Sequence, residues 1–137
     1  MNKKMIWLLV LGVFVLMVPV SFLYVLNNGN PYTKYINNRY VPAHLKEKGY
    51  NKNDFKEANY VEFKYLINKD FYQGEYMVIF KDEPNLTYYY GVTKKGKEVK
   101  QFCEKDILLK DGVTDLLKDK TKHSEEQCIS SLENRGR

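Results

Sequence analysis

Residues 5–26, MIWLLVLGVFVLMVPVSFLYVL, run without one charged side chain, and a polar chain of changing period follows them. At roughly 1.5 Å per helical residue the run spans about 33 Å, enough to cross a hydrocarbon core of about 30 Å. Asn27–Asn30 then reads as a polar hinge. Asn30 suits a helix cap with Pro31 in the first turn, and Tyr32, Ile36 and Tyr40 recur every four residues as one helical stripe. Pro42 predicts an end or a kink there, and Gly49 a left-handed C-cap after a second short piece.

From Tyr60 the period falls to two. Val61, Phe63, Tyr65 and Ile67 alternate with Tyr60, Glu62, Lys64 and Leu66, which predicts a strand. YMVIF (76–80) is apolar on both faces and reads as a central strand. LTYYYGV (86–92) places Leu86, Tyr88, Tyr90 and Val92 on one face, and a fourth strand is expected around Glu98–Cys103. Short turns at 68–74, 81–85 and 94–97 join these strands into an antiparallel meander. Val113, Leu116 and Leu117 predict a weakly patterned C-terminal helix, and from Ser124 the chain is polar and expected to fray. The expected fold is α+β: an N-terminal transmembrane helix, a helix packed on a four-stranded antiparallel meander, and the C-terminal helix. The expected divisions are a leader (1–4), an anchor (5–26), a hinge and kinked helix (27–57), the meander (58–104) and a helix with polar tail (105–137).

The alternative to an anchor is a cleaved secretory signal, because Lys3 and Lys4 resemble its basic leader. The apolar run exceeds the usual core of such signals, no A-x-A-like site follows it, and the first cysteine is Cys103. Met5, Trp7, Pro19, Tyr24 and Leu26 mark the expected membrane segment. Trp7 and Tyr24 stand where amphipathic rings favour the interface, and a proline such as Pro19 is tolerated within a span. Lys3 and Lys4 before the span nearly balance Lys34, Arg39 and Lys46 after it. A short basic leader stays cytoplasmic and long following domains cross regardless of charge. The expectation is a single-pass protein in the cell membrane with its N-terminus cytoplasmic and its C-terminal domain extracytoplasmic.

Charge and composition narrow the partners. Beyond the anchor 20 basic side chains meet 17 acidic ones, an excess of three, with the signs interspersed. Nucleic-acid binding needs clustered cations on one face, so no nucleic-acid partner is expected. Of 12 tyrosines, 11 follow the anchor, which suits strand packing more than a binding platform. Within Tyr88–Tyr90 one face belongs to the core, so Tyr89 is the candidate partner contact. Cys103 and Cys128 either form a disulfide, in keeping with an oxidising exterior, or remain two unpaired thiols.

Candidate chemistry is sparse. His44 and His123 lie on separate elements without metal-ligand spacing and read as surface residues. Neither cysteine has a histidine held beside it by a patterned element. Asp82 and Glu83 precede Pro84 in a turn, and the scattered glycines give no phosphate loop. No enzyme activity, cofactor or metal is expected.

LKEKGYNKNDF (45–55), VIFKDEPNLTYYY (78–90), KQ (100–101) and KHSEE (122–126) follow one another in an order that resembles an uncharacterised family. Its members are short, membrane-anchored proteins from Gram-positive Firmicutes, the domain-of-unknown-function family numbered three-one-three-nine. The resemblance implies a bacterial envelope protein and no assigned reaction. It also implies a continuous helix between the anchor and Lys48–Tyr50, from which Pro42 departs.

The functional expectation is a membrane-anchored protein- or peptide-interaction module, with toxin immunity as one version. The alternative is a structural or inhibitory envelope component carrying a cystatin-like or PepSY-like module. The expected partners are the lipid bilayer and an unknown protein or peptide.

Overall fold

The computed structural model describes residues 1–63 and 68–135, in two compact units, Met1–Pro31 and Tyr32–Arg137. The first unit is helix α1, Lys3–Asn28, which buries none of its residues and runs through Pro19. It is long and apolar enough to cross a membrane. It ends at Gly29, whose φ of 79° suits glycine and whose N–H donates to the Val25 carbonyl at 2.8 Å.

Helix α2, Pro31–Glu47, lies in the second unit from Tyr32 onward. The expected break at Pro42 does not occur. Val41 and Leu45, on both sides of the proline, are fully enclosed with Ile36, and burial of that apolar stripe offsets the missing backbone donor. The inward face is Thr33, Ile36, Asn37, Val41 and Leu45, with Tyr40 packed against the same core, so the predicted Tyr32–Ile36–Tyr40 stripe holds at Ile36 and Tyr40 and not at Tyr32. Tyr32 is half exposed because the packing stripe passes beside it. Gly49 closes the helix at φ 94°, with Tyr50 N–H donating to Leu45 O and Gly49 N–H to Lys46 O, both at 3.0 Å. This is the paired-bond C-terminal motif in which a left-handed glycine satisfies the last carbonyls.

Among the described residues six antiparallel strands follow: β1 Phe55–Val61, β2 Glu75–Phe80, β3 Leu86–Val92, β4 Val99–Gln101, β5 Lys105–Leu108 and β6 Thr114–Leu117. The order is β1-β2-β3-β5-β6. The far edge of β3 is shared, β4 pairing with Tyr90–Val92 and β5 with Leu86 and Thr87. The meander through β4 agrees with the sequence reading, but its first strand lies earlier than Tyr60–Ile67. Residues 64–67 of that expectation lie outside the described residues.

The expected C-terminal helix is instead the β5–β6 hairpin. Gly112 at φ 81° lets Leu109 N–H reach Val113 O at 2.8 Å, and four register pairs from Lys105↔Leu117 to Leu108↔Thr114 follow. The open edge of β3 gives β5 a backbone partner that a solitary helix would forgo. Leu108, Val113 and Leu116 consequently point to solvent.

Strand alternation separates two cores. Tyr76, Val78 and Phe80 of β2 and Leu86, Tyr88, Tyr90 and Val92 of β3 join Ile36, Val41 and Leu45 of α2. On the other face Phe71 and Phe102 pack at 4.9 Å with Tyr89 and Ile129 beside them. Gly91 permits this second core, because a Cβ there would lie 2.6 Å from the Phe102 ring.

Candidate functional site

The second face of the sheet carries a cavity of about 300 Å³. Register explains its lining. Tyr89 opposes Met77, which puts Glu75 and Tyr89 on the same side. Thr87 opposes Asp106, and Asp106 opposes Leu116, so both join that side. Glu104 and Asp106, two residues apart, share it as well. Phe63, Phe102, Leu132 and Arg135 complete the wall.

Three carboxylates meet here in different states. Glu104 is fully served: Oε1 accepts from Ser130 Oγ at 2.6 Å, and Oε2 from Ser131 N and Oγ at 2.9 and 3.1 Å. Burial alone would raise its carboxyl, but these bonds outweigh burial and hold it below the ordinary range. Asp106 accepts the Tyr89 hydroxyl at 2.6 Å. Burial, then the bond to Asp106, push the Tyr89 phenol up. Glu75, 4 % exposed, receives no side-chain hydrogen bond or ion pair among the described residues. Burial first, then Asp106 and Glu104, push its carboxyl up to about 8, with Arg135 pulling the other way.

A separate cluster fastens the C-terminal segment over the α2 side of the sheet. His123 lies flat on Phe80, ring centroids 3.8 Å apart, between the Tyr50 hydroxyl at Nδ1 (3.0 Å) and Asp82 at Nε2 (2.9 Å). His44 Nε2 meets Glu125 at 2.8 Å. Both histidines, expected at the surface, are largely enclosed, their side chains 17 % and 11 % exposed for His44 and His123. Hydrogen bonds from Lys122 and His123 hold the exposed Asp82 carboxyl down to about 2. A tyrosine–histidine–carboxylate chain resembles an activated nucleophile in outline. Burial and then the surrounding carboxylates push the Tyr50 hydroxyl up. The cluster ties the C-terminal segment to Tyr50, Phe80 and Asp82.

The same segment corrects the expected frayed tail. Cys103 and Cys128 are bonded, with Cα atoms 5.1 Å apart. Ile129 N–H donates to Gln101 O at 3.0 Å, and Cys103 N–H to Ile129 O at 3.1 Å. Side-chain and backbone polar bonds hold this segment, and no apolar periodicity is needed for that. In the chain-entropy view a disulfide closing a loop of this length contributes about 3 kcal/mol.

The sequence-singled residues fall in separate places. Met5, Trp7, Pro19, Tyr24 and Leu26 lie on α1. Tyr89 is half-buried, on the face opposite Tyr88 and Tyr90, with its hydroxyl engaged by Asp106. Glu75, Asp106 and Arg135 escaped sequence reasoning. Glu75 heads an apolar strand about thirty residues before the other two carboxylates, and only the Glu104-x-Asp106 spacing hinted at a shared strand face.

Residues 1–90 match the family model described as "Protein of unknown function (DUF3139)". No curated protein and no solved structure matches the chain. The matched segment includes Glu75 and Tyr89, while Glu104, Asp106, Arg135 and the disulfide lie beyond it.

Proposed function

The chain belongs to the DUF3139 family of proteins of unknown function, and from that premise we propose a single-pass membrane protein whose head works outside the cytoplasm as a small protein- or peptide-interaction module. The observation that carries the reading is the pairing of α1 with a Cys103–Cys128 bond in the other unit. Disulfides persist in oxidising compartments and are rare in the cytosol, so the bond supports a head exported across the membrane. Lys3 and Lys4 support a leader retained inside. The cavity on the second face, with Leu116 exposed beside it, supports binding over catalysis. The proposed location is the cell envelope, and the protein is proposed to act without a cofactor.

Two measurements test this. On intact cells treated with an impermeant reductant, an impermeant maleimide should label Cys103 and Cys128. Labelling only after lysis would reverse the orientation, and a trimmed protein free in the medium would remove the anchor. A photo-crosslinking residue at Leu116 should yield one discrete protein adduct on living cells. Adducts to lipid or wall polymer alone would replace the module with a structural envelope component.

A further inference from the structure

We propose that the cavity bounded by Glu75, Asp106, Tyr89 and Phe102 binds a primary alkylammonium group, of the kind a lysine side chain presents. The inference rests on the interaction-module reading and names the chemistry of the partner. Among the described residues carboxylates outnumber cations around the cavity: Glu75, Glu104 and Asp106 face one arginine, Arg135. Glu104 has its donors supplied from Ser130 and Ser131, and Asp106 has one from Tyr89. Glu75 is more than nine-tenths buried, lines the cavity, and has no side-chain donor among the described residues. A buried carboxylate is stable when a charged donor reaches it, so its placement calls for one arriving from outside the chain.

The form of that donor follows from the walls. Among the described residues no three His, Cys, Asp or Glu side chains come close enough to hold a metal ion, so a compact dication lacks its ligand set. An ammonium carries three donors and no acceptor, and can serve Glu75 and Asp106 together. Phe63 and Tyr89, in edge-to-face contact at 6.1 Å, give the wall an aromatic side, and Leu116 and Leu132 suit an alkyl stem. A cavity of about 300 Å³ is at the small end of ligand sites, the scale of one extended side chain.

Proton balance gives the site a signature. Among the described residues the groups facing Glu75 are Asp106 and Glu104, which oppose its ionisation, Arg135, which favours it, and the Tyr89 phenol. When the ammonium enters, Glu75 passes its proton to solvent and the ion pair forms. Affinity should therefore fall about fivefold from pH 8 to pH 7 and about tenfold for each unit below that.

Full-length protein in non-ionic detergent is titrated with cadaverine and with a blocked lysine pentapeptide and its glutamine counterpart. Saturable binding of the lysine peptide, none of the glutamine peptide, and about fivefold weaker binding at pH 7 than at pH 8 are expected. E75Q should weaken binding at least about tenfold at pH 8. R135Q, which removes a cation lining the cavity, should bind at least as tightly. Cadaverine binding without peptide binding keeps the alkylammonium and assigns it to a free diamine. Equal binding of the two peptides, a flat pH profile, preference for calcium, or lost affinity in R135Q would overturn the assignment. If neither amine binds while Leu116 still captures a protein, the cavity is wrong and the interaction module survives.

Discussion

Phe80→Ala should destabilise the head by about 4 kcal/mol, the largest single loss expected in this chain. Phe80 is fully buried, and its ring meets Tyr50 at 4.9 Å, Tyr88 at 5.2 Å and Phe55 at 5.5 Å, besides the stacked His123. Truncation removes the transfer energy of a whole ring and leaves a cavity whose walls are themselves rings that relax poorly. It also takes away the surface on which His123 rests, so the C-terminal segment loses its docking together with the core. Against a typical total of about 5–15 kcal/mol, the head would be close to unfolding. Urea unfolding of full-length protein in detergent measures this. A loss below about 1 kcal/mol would mean that the segment and sheet pack independently of this ring.

The second large effect is electrostatic. Glu75 keeps its proton in the folded head up to about pH 8, whereas an unfolded glutamate has lost it by mildly acidic pH. Between those limits the native state binds the extra proton, so stability falls as pH rises from about 4 to 8 and levels off above. The penalty at pH 9 is on the order of 5 kcal/mol if the site does not relax. Glu75→Gln keeps the shape and removes the titration. The variant should match the parent near pH 5 and exceed it by several kcal/mol at pH 9. Unfolding midpoints at pH 5, 7 and 9 give the comparison. A difference between the two proteins that stays constant with pH would show that Glu75 ionises at its ordinary value.

The parts of the fold that could be read from sequence are those where one physical signal dominates. A charge-free run specified α1, and period-two alternation put Tyr88 and Tyr90 on one face and Tyr89 on the other. The signal failed where tertiary packing outweighs local preference. Pro42 stays inside α2 because Val41 and Leu45 are enclosed around it. Val113, Leu116 and Leu117 have helical spacing, but Leu116 and Leu117 pair as a strand, because β3 offers a free edge and Gly112 a turn. The candidate site was the least visible. Glu75, Glu104 and Asp106 come together through strand register, and Arg135 through the path of the final segment. Local patterning carries neither.

The covalent link between Cys103 and Cys128 changes what proteolysis does to this molecule. A single nick anywhere between Glu104 and Gln127, for which the solvent-facing turn at Leu109–Val113 is well placed, leaves both fragments joined as one species. Such a nicked protein would migrate as a single band without thiol and as two bands with it. Shedding the C-terminal portion therefore requires reduction as well as cleavage, or a cut upstream of Cys103 that takes the whole loop away.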